Sequence, residues 1–547
     1  MKIQRKEAVL LAALLFSPGR LHAANVAESV GVNFTGSVYG VNSAALPPDG
    51  NGAIGPKHFV EFINGTFAAY NKTNGVKVLR KSDIKFWSDS GLIISPDSAV
   101  TDPRVIYDPQ SQRWFASMVD FDANATDPTL EANDFLLAVS ATSDPTGAWH
   151  GFLFQADPDF GDFADFPTLG VDAKGVYLSG DMFSGDTDPV GPSLVAIPKS
   201  DLLLPTPTIA NRTWFGVMDY AVRGQVLQPV SCFDGSESGA VLSLQNIGMD
   251  SNPYTNVVEF SVQNVTNGPS ATLSASTWVP VVPYMVPDNA DFGAPLLTPL
   301  QPDGTSQVQA NDARFSAKAY AVNGIIYAVH NTEYNSHLAI RWYRLNASND
   351  TLLEMGTLTN LDMDLFFPSI AANTNGVIVI GCNGSSGESN ISSYVFVGAT
   401  TRGVTTFTGP YLLQSGVTSY HGDDELIASL EDLPAFSRWG DYSSMSVDPN
   451  DPNQFWTLQL YPSDTDVWST QITQITTALP ALNIAQVNPN IVVSWPVTAF
   501  PFHLESATSL ASGSWTIIAP ASYTTNSGRI SYQEHNSALV KSFRLHY

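Results

Sequence analysis

One unit recurs seven times in this chain: a strand, a tight turn, then a very apolar strand. It occupies Gly52–Ile63, Arg104–Ser117, Pro167–Ser179, Val230–Leu244, Ala317–Val329, Pro368–Ile380 and Gly440–Leu458. The turns are rich in Asp, Asn, Pro and Gly, the residues whose backbone suits hairpins. The second strands, such as Val176–Leu178, Ile325–Val329 and Val377–Ile380, are continuous apolar runs without alternation. That pattern signals burial on both faces. Sheets packed between two neighbours around a common axis need it, whereas strands of a two-layer sandwich alternate. The repeat predicts an all-β fold, a seven-bladed β-propeller. The mean spacing of about 65 residues exceeds the roughly 40–50 of familiar propeller repeats, so the excess is assigned to loops.

The two ends read differently. Ser29–Tyr39 precedes the first unit and has no other partner, while the seventh unit offers only three strands. This segment is expected to supply the missing outer strand and so remove two exposed sheet edges. After residue 478, Pro480 and Pro489 flank a break. Short strands follow at Ile491–Trp495, Phe502–Ser506, Trp515–Ile518, Arg529–Tyr532 and Ser542–Leu545, predicting a small β-sandwich. At the N-terminus, Lys2, Arg5 and Lys6 precede the apolar Val9–Phe16, with a cut expected after Ala23 or Ala24. This is the pattern of a secretory signal. The expected division is signal peptide 1–24, propeller 25–478 and C-terminal module 479–547. The mature protein is expected outside the cell or on its surface, with no membrane span.

Charge narrows the function classes. Asp and Glu number 51 against 25 Lys and Arg, so a nucleic-acid partner is not expected, because phosphate binding needs basic patches. Cys232 and Cys382 lie in apolar strands of different repeats and are expected as buried free thiols. The chain holds no Gly-rich phosphate loop, no His-Glu-x-x-His and no Gly-x-Ser-x-Gly, the signatures of common catalytic sites.

The segment Pro47–Pro56, with the pattern Pro-Pro-Asp-x-Asn-Gly-x-x-Gly-Pro, and the segment Arg438–Ser443, reading Arg-Trp-Gly-Asp-Tyr-Ser, resemble motifs of a group of exported bacterial propellers. The turn Thr142–Trp149 resembles the Asp-box hairpin of sialidase-like propellers, which stabilises the fold and carries no catalysis. By that resemblance, a sialidase-type site would need a buried Tyr–Glu couple beside three arginines, for which Glu333, Tyr334 and Tyr442 are the candidates. The C-terminal block resembles small modules appended to exported bacterial proteins, with adhesive or sorting roles.

Topology sorts the remaining residues. In a propeller the starts of the inner strands and the loops joining second to third strands share one face, here the top face. It gathers Asp102, Arg104, Asp165, Asp312, Arg314, Glu333, Tyr334, Arg438 and Asp441, the candidate ligand-binding set. The acidic loops also supply candidate calcium ligands at Asp120, Asp122, Asp181, Asp186 and Asp188, since calcium takes oxygen ligands from flexible loops. The expected function is an extracellular binding protein that holds a carbohydrate or polymer-derived ligand in its acidic funnel. The alternatives are a glycan hydrolase or lyase, with Arg104, Arg314 and Arg438 gripping an anionic substrate, and a structural surface protein.

Overall fold

A computed structural model describes residues 26–546 except 186–188, 237, 248–252, 288–296, 306–307, 423–436, 479–481, 497–502, 509–514, 527–528 and 537–540. The expected signal peptide and the candidate ligands Asp186 and Asp188 fall outside the described residues. Among the described residues, seven antiparallel blades form a β-propeller, followed by two small sheets. No described helix is long and apolar enough to cross a membrane.

Blade 1 comprises Asn51–Ile54, His58–Ile63, Thr66–Asn71 and Lys77–Lys81. The inner strands of blades 2 to 7 are Ser98–Asp108, Phe163–Val171, Gln225–Cys232, Ala319–Val322, Asp364–Ala372 and Ser444–Val447. Burial falls from axis to rim, as the sequence pattern requires. Eight of nine residues in the second strand Gly175–Phe183 are buried, whereas none is buried in the outer strand Lys77–Lys81. Between blades 1 and 2, Phe67 stacks on Phe86 with centroids 4.3 Å apart, and Trp149 meets both rings edge-on. Such aromatic pairs add to the hydrophobic burial that holds neighbouring blades together. The inner strands of blades 4 and 5 also pair directly, in parallel, from Val230–Ala319 to Cys232–Ala321. Cys232 and Cys382 are buried free thiols.

The ring closes as expected. Ala27–Val38 pairs antiparallel with Val467–Ala478 and completes blade 7. The clasp has a polar lock that sequence reading missed. The carboxylate of Glu61, fully buried in blade 1, accepts hydrogen bonds from Ser37 N (3.0 Å), Ser37 Oγ (2.9 Å), Tyr70 Oη (2.7 Å) and Thr470 Oγ1. It thereby joins the N-terminal strand, blade 1 and the last strand at one point.

The two C-terminal sheets enclose Val493, Trp495 and Leu504, with Tyr523 edge-on to Trp495 at 5.0 Å. They have their own small core, so a chain ending at residue 478 should remain soluble and melt cooperatively at nearly the full-length temperature. Differential scanning calorimetry checks this; aggregation of the shortened chain would mean that the propeller needs the module.

Candidate functional site

The top face is shaped by a repeated backbone feature. Asp49, Asp102, Phe166, Val226 and Phe367 all have positive φ, between 46° and 62°. In blades 2, 3, 4 and 6 this residue lies two residues before pairing resumes past a break in the inner strand, at Arg104, Thr168, Gln228 and Ser369, and in blade 1 two residues before the first pair of the strand, Asn51. A β-branched or bulky residue rarely adopts this conformation, and strain of this kind persists only where its surroundings enforce it. Three of the five precede proline: Asp102–Pro103, Phe166–Pro167 and Phe367–Pro368. The bulge turns the chain at the mouth of the channel before it enters the blade.

These bulges help to line a top-face cavity of about 550 Å³. Its polar lining includes Asp49, Asp102, Asp165 and Asp441, with Asn64, Gln309, Asn311, Arg314 and Arg438; Leu46, Pro47, Phe121 and Phe166 add apolar surface. Five candidates from the sequence therefore meet here: Asp102, Asp165, Arg314, Arg438 and Asp441. Asn64 donates to Asp49 at 2.7 Å, Asn311 donates to Asp441 at 3.0 Å, and the amide of Asp441 donates to Asp49 at 2.9 Å.

Crowding acids together in a buried place makes ionisation costly. Burial, then Asp165 and Asp441, pushes Asp102 up to about 7. Burial, then Asp441 and Asp102, pushes Asp49 well above the carboxylate range. Asp165 is raised as well, mainly by burial. The arginines offset part of this charge. Burial opposes the charge on Arg314 and Arg438, yet the neighbouring carboxylates hold both above their ordinary values.

Each of the three arginines is engaged. Arg314 forms a forked pair with Asp312, Nη2 to Oδ2 at 2.6 Å and Nε to Oδ1 at 2.9 Å. Arg438 donates to Asp441 at 2.8 Å. Arg104 does not line the cavity. It lies 3.5 Å from the ring centroid of Tyr442, and its Nε and Nη1 donate to Pro167 O (2.7 Å) and Ser316 O (2.8 Å). It thus ties blade 2 to blade 3 and to the approach to blade 5. Tyr442 donates to Asp102 at 2.6 Å and packs against Phe166, edge to face, at 4.7 Å. Tyr442, Phe166 and Arg104 together pack beneath the acidic cavity.

Other candidates stand apart. Glu333 and Tyr334 end the second strand of blade 5 away from the cavity: Glu333 bridges to Met285 through its backbone, and Tyr334 is 47% exposed. They form no couple with Tyr442. Among the described residues, no three His, Cys, Asp or Glu side chains are grouped to hold a metal ion. Asp120 accepts the amide of Asp134 at 2.7 Å, and Asp122 accepts that of Asn124 at 2.8 Å. Asp181 is hydrogen-bonded to Tyr220 and raised to about 6, chiefly by burial. In the Thr142–Trp149 turn, Asp144 accepts the amide of Thr146 at 3.0 Å and Trp149 Nε1 donates to Pro145 O at 3.0 Å, a self-contained hairpin.

No protein-family model matches the sequence, and no curated protein matches it. Similar solved structures include the Dos1 propeller (8% identity, 82% of this chain and 95% of that chain, TM-score 0.36). A protein of unknown function from Dyadobacter fermentans matches at 10% identity, over 71% of this chain and 97% of that one, with a TM-score of 0.34. An exo-β-1,3-galactanase from Phanerochaete chrysosporium, solved with galactose, matches at 11% identity, over 82% and 99%, with a TM-score of 0.30. By its own sheet topology, the chain is a β-propeller.

Proposed function

We propose that the protein is an exported binding protein whose top-face cavity takes a neutral, polyhydroxylated ligand, the free end of a glycan. The observation that carries this reading is the convergence of Asp49, Asp102, Asp165, Asp441, Asn64 and Asn311 on one cavity of about 550 Å³ beside the apolar faces of Pro47, Phe121 and Phe166. Carboxylates and carboxamides accept and donate to sugar hydroxyls, while apolar faces suit the C–H side of a pyranose. An anionic ligand fits poorly, because Arg314 and Arg438 already face carboxylates. Glycan-array screening followed by calorimetry tests the reading. A neutral oligosaccharide should bind, and Gln309→Ala or Asp441→Asn should weaken it about 10–100-fold, the cost of one or two hydrogen bonds. Binding untouched by both variants, or restricted to sialylated or sulfated glycans, would reject it.

A hydrolytic role has one observation in its favour. Asp102, with its pKa near neutrality, is poised as a general acid must be. Mass spectrometry of the bound glycan after overnight incubation separates the two readings: cleavage means catalysis, an intact glycan means binding.

A further inference from the structure

The bottom face of the propeller carries a second cavity, of about 280 Å³, walled by the hairpins between first and second strands. Ile54, Ile106, Phe233 and Val322 give it a largely apolar surface. Its polar groups are mostly engaged. Tyr320 donates to Met445 O at 2.7 Å, Asn373 donates to Pro452 O at 2.6 Å, and Asp448 holds Lys72 at 2.8 Å. Asp234 accepts from the amides of Ser236 and Asn323.

Lys318 differs from these groups. It lines this cavity and also a small void shared with Arg104, so it stands between the bottom pocket and the residues beneath the funnel. Its ammonium group reaches from blade 5 across the channel and donates to Gly52 O (3.2 Å) and Val105 O (3.1 Å). The third N–H has no partner among the described residues, and no described carboxylate pairs with it. Burial, then repulsion from Arg104, lowers its pKa to about 7. An unpaired buried ammonium costs free energy that an anion brought beside it would recover.

We propose that the bottom cavity is a second ligand site, for a small monocarboxylate with an apolar ring or short chain, whose carboxylate pairs with Lys318. The charge count favours a monoanion. One ammonium with one uncommitted N–H belongs to the pocket wall, which also carries the carboxylate of Asp234. The volume accommodates a ring or a short chain.

Binding should load a proton onto Lys318. Of the other groups facing the pocket, burial raises Tyr107 and Tyr320, and hydrogen bonds from Ser236 hold Asp234 low against its burial. Calorimetry with benzoate and hexanoate, repeated in buffers of different ionisation enthalpy, counts the protons. The expected result is millimolar or tighter binding with uptake of nearly one proton per ligand at about pH 8, falling to almost none at about pH 6. Lys318→Met should weaken binding about tenfold or more and abolish the uptake. If that variant does not fold, acetylation of wild-type Lys318 by an amine-reactive ester, read by peptide mass spectrometry, replaces it: bound benzoate should slow the labelling. No binding of either probe, binding without proton uptake at pH 8, unchanged binding by a folded Lys318→Met protein, or labelling indifferent to benzoate would overturn the proposal. Because the site lies on the face opposite the glycan cavity, either result leaves that reading to its own test.

Discussion

Deleting residues 26–39 should lower the melting temperature of the whole propeller by roughly 5–10 °C, a loss of about 5–10 kcal/mol. The segment supplies the outer strand of blade 7. Without it, Val467–Ala478 becomes an open edge, and the contact between first and last blades loses its lock. Glu61 explains why the effect should spread beyond blade 7. Its carboxylate accepts from Ser37, Tyr70 and Thr470, which belong to three different segments. Glu61→Leu isolates this contribution. It leaves the strand in place but removes the acceptor of three buried hydroxyls, those of Ser37, Tyr70 and Thr470, at a cost of about 3–5 kcal/mol. Thermal melting by circular dichroism reads both changes. A deletion that melts like the intact chain would mean that the ring is held by interblade packing alone.

Asp102→Asn should stabilise the protein at pH 8, by about 2 kcal/mol, and should flatten its stability–pH curve. The carboxyl of Asp102 is raised to about 7 in the folded protein, against roughly 3.9 in an unfolded chain. Between those values the folded state binds more protons than the unfolded state. Stability therefore falls as pH rises through this window and reaches its lowest level above pH 7. Glu259, raised to about 8 chiefly by burial, acts in the same direction. His330 opposes them only below about 6.5, because burial lowers it to about 3 and acid must charge it. Lys318, lowered to about 7 by burial, opposes them across this range, so the contribution of Asp102 is read from the difference between wild type and variant as pH falls from 8 to 6.5. Asparagine retains an acceptor for the Tyr442 hydroxyl and tolerates the positive φ of this position. The advantage of the variant should be greatest at pH 8 and shrink toward pH 5. A constant advantage, or a loss at pH 8, would show that Asp102 is ionised without penalty.

The blades were legible because double burial leaves unbroken apolar runs such as Val377–Ile380, a local pattern. The closing strand was legible through its lack of any other partner. The sorting of Asp102, Asp165, Arg314, Arg438 and Asp441 to one face followed from strand direction, and these residues do share the cavity. What each side chain does there was not legible. Arg104 bonds backbone carbonyls behind Tyr442 because the bulge at Asp102 sets its direction, and bulge geometry leaves only a faint mark in sequence. That mark was present in the proline following Asp102, Phe166 and Phe367. Glu333 and Tyr334 were misplaced because a long second strand in blade 5 carries them past the cavity. Glu61 sits within an apolar strand and Lys318 just before one, each a single polar residue with partners on other segments of the ring. Only three-dimensional closure brings those partners together.

The central claim, that a glycan seats in the top-face cavity, is tested most directly by hydrogen–deuterium exchange with and without a bound neutral oligosaccharide. The account predicts slower exchange in residues 99–104, 164–168, 309–314 and 438–442, the segments that meet at the cavity. Slowing confined to the bottom-face hairpins, or to the two sheets beyond residue 481, would contradict it.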